Sequence, residues 1–84
     1  MTTIKHYGAD QWCAPCRALK PVMQEIIQQN PSVIYEYIDV DTNQAEAQTL
    51  GIRSIPVVIV MENGLETSRF IGIHPKATYE QAIK

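Results

Sequence analysis

The sequence predicts an α/β fold in which a mixed four-stranded sheet is flanked by helices, in the order β-α-β-α-β-β-α. Three observations carry this expectation. A helical period from Cys13 to about Gln29 separates two segments rich in β-branched and aromatic residues. A continuous apolar run, Pro56 to Val60, is followed at once by the hairpin signal Asn63-Gly64. The chain then returns to a helical pattern after Gly72 and Pro75.

Taken in order, Thr2 to Tyr7 reads as the first strand, and Gly8-Ala9-Asp10-Gln11 breaks it as a loop. In the long helix Cys16, Leu19, Met23, Ile26 and Ile27 share one side. Pro15 falls in its first turn, where a missing N–H costs nothing. Pro21 lies inside it and predicts a kink, and Asn30-Pro31-Ser32 ends it. Val33 to Val40 reads as the second strand. Asp41, Thr42 or Asn43 is placed to cap a short helix, Gln44 to Leu50, that Gly51 stops. Pro56 to Val60 is apolar at every position, the pattern of a strand buried on both faces. Glu66 to Ile71 pairs with it across the hairpin, and Pro75 opens the last helix. Two parallel strands joined by a right-handed helical crossover and followed by a hairpin give a mixed sheet.

At 84 residues the chain reads as one domain spanning residues 1–84, of modest stability. With 45% hydrophobic and 19% charged residues its composition is that of a globular protein and not of a disordered one. The formal net charge is -2 and no basic run exists, so nucleic acid is not an expected partner. The longest apolar stretch, Ile55 to Met61, is too short to span a bilayer, and the first residues lack the apolar core of a secretory signal. No membrane association is expected, the cytoplasm is the expected compartment, and a monomer is the expected state.

The chemistry concentrates in two cysteines, Cys13 and Cys16. A bridge between them closes a very short loop, worth only about 2 kcal/mol by chain entropy, so it would be a poor staple. A disulfide at this spacing suits a bond that is made and broken. Disulfide exchange needs a thiolate, and Cys13 stands at the start of the helix, where free N–H groups and the macrodipole favour an anion. Cys16 follows on the same helical face, close enough to attack a mixed disulfide held by Cys13. This makes Cys13 the exposed nucleophile and Cys16 the shielded resolving thiol. The spacing alone also admits a half zinc site, a structural bridge or two unrelated core thiols. Zinc needs four ligands, and His6 and His74, the other good candidates, lie at opposite ends of the chain without spaced partners. No metal or other cofactor is expected.

Trp12-Cys13-Ala14-Pro15-Cys16 resembles the W-C-G-P-C active site of thioredoxins, with Ala14 in place of glycine. Gly51-Ile52-Arg53-Ser54-Ile55-Pro56 resembles the family segment whose proline peptide bond is cis, and Ile71-Gly72-Ile73 resembles the loop that completes the family's substrate groove. The resemblance covers nearly the whole chain, without the extra N-terminal strand and helix of full-length thioredoxins, and is nearest to miniature thioredoxins and glutaredoxin-like redoxins. It implies a minimal thioredoxin fold and a protein-disulfide reductase working through Cys13 and Cys16. It also implies a substrate groove formed by Trp12, Ala14, Pro15, Ile55, Pro56, Gly72 and Ile73, with the Ile55 backbone pairing with an extended substrate segment. Disulfide-containing proteins are the implied substrates and thioredoxin reductase the implied electron donor.

Two alternatives stand beside this reading. A glutathione-linked redoxin would have proline directly after its first cysteine and a Gly-Gly-x-Asp-like turn, where this chain has Ala14 and Gly72-Ile73-His74-Pro75. A non-catalytic binding module using the Ile55–Ile73 groove would leave the cysteines incidental. One departure from the family is plain. The buried aspartate and lysine that manage the resolving cysteine's proton are matched here by His6 or Tyr7, depending on one loop residue, and by Tyr37. Water or the departing substrate thiolate is then the expected acceptor of that proton, with His6 a second candidate for proton handling. Arg17 and Lys20, one turn into the helix, read as ordinary solvated charges.

Overall fold

The structure is a computed structural model that describes residues 1–84. Its elements are β1 (Thr2–Gly8), α1 (Ala14–Gln29), β2 (Ile34–Asp39), α2 (Gln44–Thr49), β3 (Val57–Glu62), β4 (Leu65–Ile71) and α3 (Lys76–Ala82). The order is the one the sequence predicts, with boundaries moved by a residue or two. The sheet runs β2-β1-β3-β4; β1 pairs parallel with β2, and β3 pairs antiparallel with both β1 and β4.

Burial on both faces of the sheet explains the unbroken apolar run in β3. Val58 joins Ile4, Leu19, Met23, Ile26, Val33 and Tyr79 in the core beneath α1 and α3. Val57 and Ile59 point the other way, packing with Tyr7 and with Leu50 and Ile52 at the end of α2. The register of β1 against β2 sorts the site residues in the same manner. Ile4 opposes Tyr35, His6 opposes Tyr37, and Gly8 opposes Asp39, all on one side, while Tyr7 faces the other. There the Tyr7 hydroxyl donates to Glu46 of α2 at 2.5 Å.

Local signals account for the connections. Asn63 (φ 52°) and Gly64 (φ 85°) are both left-handed, the geometry of the tight hairpin turn that Asn-Gly favours. The pairing beyond it contains a bulge at Val60/Met61 that the sequence does not announce. Asn30 closes α1, its side-chain amide donating to the Ile26 carbonyl at 2.9 Å. Pro21 lies within α1 on its exposed side, and the helix continues to Gln29. The start of α2 differs from expectation. Asn43 occupies the capping position, but its side chain makes no capping bond and instead donates back to the Asp39 carbonyl at 2.9 Å. The nearby Asp39 carboxylate takes the Asp41 N–H at 2.8 Å, so the loop folds around Asp39. No helix is long and apolar enough to cross a membrane.

Candidate active site

The site is built where β1 gives way to α1. Cys13 is the N-cap residue of α1, in extended conformation (φ -109°, ψ 93°), and its N–H donates to the Ala9 carbonyl at 3.0 Å. Cys13 and Cys16 are joined in a disulfide, with their Cα atoms 5.2 Å apart. Cys13 Sγ also accepts the Cys16 N–H at 3.2 Å, standing where a Ser or Asp oxygen would cap an ordinary helix. The sulfur thus sits on one of the free N–H groups that the first turn cannot satisfy by itself. Pro15, in the same turn, has no N–H to compete, and both it and Ala14 face solvent.

Burial separates the two sulfurs less than the sequence suggests. Cys16 is fully buried, as expected of the shielded thiol, but Cys13 is itself only 5% exposed. Ala9, Val40 and Ile55 pack around the pair, and two of these come from distant parts of the chain. The exposed surface at the site is supplied by its neighbours. Trp12 is 62% exposed and is held by its indole N–H, which donates to Asp41 at 2.8 Å. A cleft of about 350 Å³ lies beside it, lined by Trp12, Val40, Ile52, Arg53, Ser54 and Ile55.

The Ile55–Pro56 peptide bond is cis, and Pro56 is buried immediately before β3. Its carbonyl accepts the Gly72 N–H at 2.8 Å, which ties the loop after β4 to the loop before β3. Ile73, the neighbour of Gly72, is exposed and not a core residue. Trp12 and Ile55 therefore meet in one cleft, whereas Ala14, Pro15, Pro56, Gly72 and Ile73 lie outside its lining.

Beneath the disulfide the structure resolves the choice between His6 and Tyr7. His6 shares the α1 side of the sheet with Gly8 and Tyr37. It is fully buried, with Nδ1 2.9 Å from the Tyr35 hydroxyl and Nε2 without a partner. Burial, helped by the Lys20 ammonium, lowers its pKa to about 4, so the ring is neutral at pH 7. Its ring meets Tyr37 edge-on at 4.8 Å between centroids.

Three residues that the sequence reading left out of the site, Lys20, Asp10 and Gly8, belong to it, and Tyr37, matched there to the family's lysine, joins them. Lys20 is not a free surface charge: its ammonium contacts Asp10 at 2.7 Å and lies over the Tyr37 ring, 3.8 Å from the centroid. Asp10, in the loop before Cys13, is held below the usual carboxylate range by that same lysine. Gly8 is the point of closest approach between β1 and the cysteine pair, and Tyr37 reaches the same point from β2. The two-residue spacing of His6 and Gly8 on β1 marks one face; only the strand register brings Tyr37 to it. No group of three or more His, Cys, Asp or Glu side chains is arranged to hold a metal ion.

A bond between the N-cap and the third residue of a helix, set on the first turn's free N–H groups, is placed to be opened and re-formed. The class of protein this defines is the dithiol–disulfide oxidoreductase. The sequence profile of the thioredoxin family matches residues 3–84, and the chain belongs to that family. Among its relatives, a thioredoxin of Chlamydia pneumoniae is 35% identical over 66 residues, covering 79% of this chain and 65% of that protein. Thioredoxin 1 of Synechococcus elongatus is 38% identical over 73 residues, covering 86% and 68%. The fold matches a thioredoxin of Halobacterium salinarum with a TM-score of 0.90 at 29% identity, over 98% of this chain and 71% of that one. These likenesses do not favour the glutaredoxin alternative.

Proposed function

We propose that the protein reduces protein disulfides through a Cys13/Cys16 dithiol–disulfide cycle, with Cys13 as nucleophile and Cys16 as resolving thiol. The observation that carries this reading is the N-cap position of Cys13, whose sulfur already accepts a helix N–H at 3.2 Å. A thiolate in that place gains a charge-assisted hydrogen bond and the positive end of the macrodipole. Cys16, fully buried, meets no bulky substrate directly and acts only after Cys13 has been engaged.

In the forward cycle the Cys13 thiolate attacks a substrate disulfide, forming a mixed disulfide and releasing one substrate thiol. Cys16 then attacks Cys13 Sγ, the substrate's second sulfur leaves with a proton, and the intramolecular disulfide remains. The groove for an extended substrate is assigned to Trp12, Ala14, Pro15, Ile55, Pro56, Gly72 and Ile73. The exposure of Trp12, which shares a cleft with Ile55, and of Ile73, next to the Gly72 that is tied to Pro56, supports it. The departing substrate thiolate or water is the proposed acceptor of the Cys16 proton, and His6 is the second candidate; its buried, unpartnered Nε2 supports it, whereas a pKa near 4 makes the ring a weak base. Thioredoxin reductase is the proposed electron donor and the cytoplasm the proposed compartment.

Two measurements test the reading. Insulin disulfide reduction is expected with dithiothreitol and with thioredoxin reductase plus NADPH; activity with glutathione and its reductase alone would reassign the donor, and no activity at all would end the proposal. Cys16→Ser is expected to trap substrates as mixed disulfides on Cys13. Adducts recovered only from Cys13→Ser would reverse the two roles.

A further inference from the structure

The Tyr37 hydroxyl is fully buried and has no hydrogen-bond partner. A buried hydroxyl left without a partner is unfavourable by about 1–3 kcal/mol, so its position calls for a reason. The reason lies across Gly8. The point where a Cβ on Gly8 would stand is 2.8 Å from the Tyr37 hydroxyl oxygen and 3.0 Å from Cys16 Sγ, so the two atoms are separated by no more than the sum of those distances. Only the missing side chain of Gly8 keeps that space open. The hydroxyl and the buried sulfur share it.

We propose that Tyr37 donates a hydrogen bond to the Cys16 thiolate during the resolving step. The inference rests on the reading of Cys16 as the resolving thiol. In the oxidised state the Cys16 sulfur is bonded to Cys13 and is a weak acceptor, which leaves the hydroxyl idle. When a mixed disulfide stands on Cys13, Cys16 is a buried thiol that must lose its proton in an apolar pocket, where burial opposes the charge. The Cys16–Cys13 bond forms, the bond from Cys13 to the substrate sulfur breaks, and the proton lost by Cys16 ends on the departing thiolate. The dithiol is oxidised and the substrate reduced; Tyr37 keeps its own proton throughout.

The surroundings suit a donor and not a base. Around Tyr37 stand Lys20 and Cys16 from α1, Asp10 from the preceding loop, His6 from β1, and Tyr35 and Asp39 on its own strand. Burial first, and the Asp10 carboxylate second, push the phenol above its ordinary range, so it remains protonated at neutral pH. The Asp10 carboxylate, paired with Lys20 at 2.7 Å, is the competing acceptor nearest the hydroxyl, although it makes no well-formed bond to it. The Lys20 ammonium over the ring draws electron density from the phenol and strengthens the hydroxyl as a donor.

The test uses the reduced full chain and an aromatic disulfide reagent, 5,5′-dithiobis(2-nitrobenzoate), which reports each sulfur in turn. Attack by Cys13 releases one coloured thiolate, and resolution by Cys16 releases the second. In Tyr37→Phe the first phase is expected to keep its rate. The second is expected to slow about tenfold at pH 7, with its pH midpoint raised by about one unit. A normal first phase shows that the variant is folded. A second phase unchanged in rate and midpoint overturns the proposal, and so does equal slowing of both phases. Cys16→Ser separates the two levels of the reading. If it leaves the second phase in place, the assignment of the resolving thiol fails; if it abolishes that phase while Tyr37→Phe leaves it untouched, only the role of Tyr37 fails.

Discussion

Replacing Gly8 by alanine tests the close packing beneath the disulfide directly. Gly8 is an ordinary strand residue without the left-handed backbone that would by itself demand glycine. Its new methyl group would stand 2.8 Å from the Tyr37 hydroxyl, 2.9 Å from Cys16 Cβ and 3.0 Å from Cys16 Sγ. Both cysteine atoms belong to a short, buried side chain in the first turn of the helix that is locked into a closed bridge, so they cannot swing aside as a flexible chain end would. Overpacking of this kind is destabilising by about 1–3 kcal/mol. At roughly 2.1 cal/mol/K per residue, the 84-residue chain has an unfolding entropy near 0.18 kcal/mol/K. The melting temperature of the oxidised protein should then fall by roughly 6 to 17 °C, measured by circular dichroism. Gly8→Ala combined with Tyr37→Phe should recover part of the loss, because one of the three crowding atoms is gone. A melting temperature within about 2 °C of the parent's, roughly a third of the smallest expected shift, would refute the packing argument.

Two further outcomes follow from the site. The pKa of His6 in the folded protein, about 4, lies below the 6.5 of the free side chain, so the unfolded chain binds the extra proton first as pH falls. Stability from this residue is complete above pH 6.5 and drains away toward pH 4, by about 3 kcal/mol in full, and urea titrations of His6→Gln should show that slope flattened. If the parent and variant slopes coincide between those pH values, the neutral buried state is wrong. Trp12→Ala should raise KM for a protein disulfide about tenfold, roughly 1.4 kcal/mol, while leaving the melting temperature nearly unchanged, because the indole is mostly exposed. An unchanged KM would remove Trp12 from the groove.

Much of this architecture is legible because its signals are local. The apolar run of β3 announces burial on both faces, Asn63-Gly64 specifies its own turn, and the helical period from Cys16 to Ile26 defines the inward side of α1. The cysteine pair is equally local, since N-cap position and i, i+3 spacing are read along one helix. The features that escaped are those made by pairing distant segments. Cys13 is more covered than its helix position suggests because Val40 and Ile55 close over it. Lys20 looks like a solvated charge until the fold brings Tyr37 under it. Asn43 is the local exception: it stands at the helix cap, but the Asp39 carbonyl at the end of β2, four residues back, takes its amide. The strand register, which no single segment encodes, decided that His6 and not Tyr7 lies on the redox side.

The strand order has a consequence for how the site yields to opening. β1 and β3 are the interior strands of the sheet, each paired on both edges, while β2 and β4 are paired on one. Gly8 is the last residue of β1, and the cis proline Pro56 immediately precedes β3. Both arms around the sulfurs thus hang from the strands that are hardest to free, since releasing either one breaks two ladders. Tyr37 lies on an outer strand, where fraying is easier. Hydrogen exchange should therefore find the cysteine scaffold protected to near the global unfolding free energy, with β2 opening at a lower one. The bond that must break in every catalytic turn is held by the part of the molecule least given to breathing.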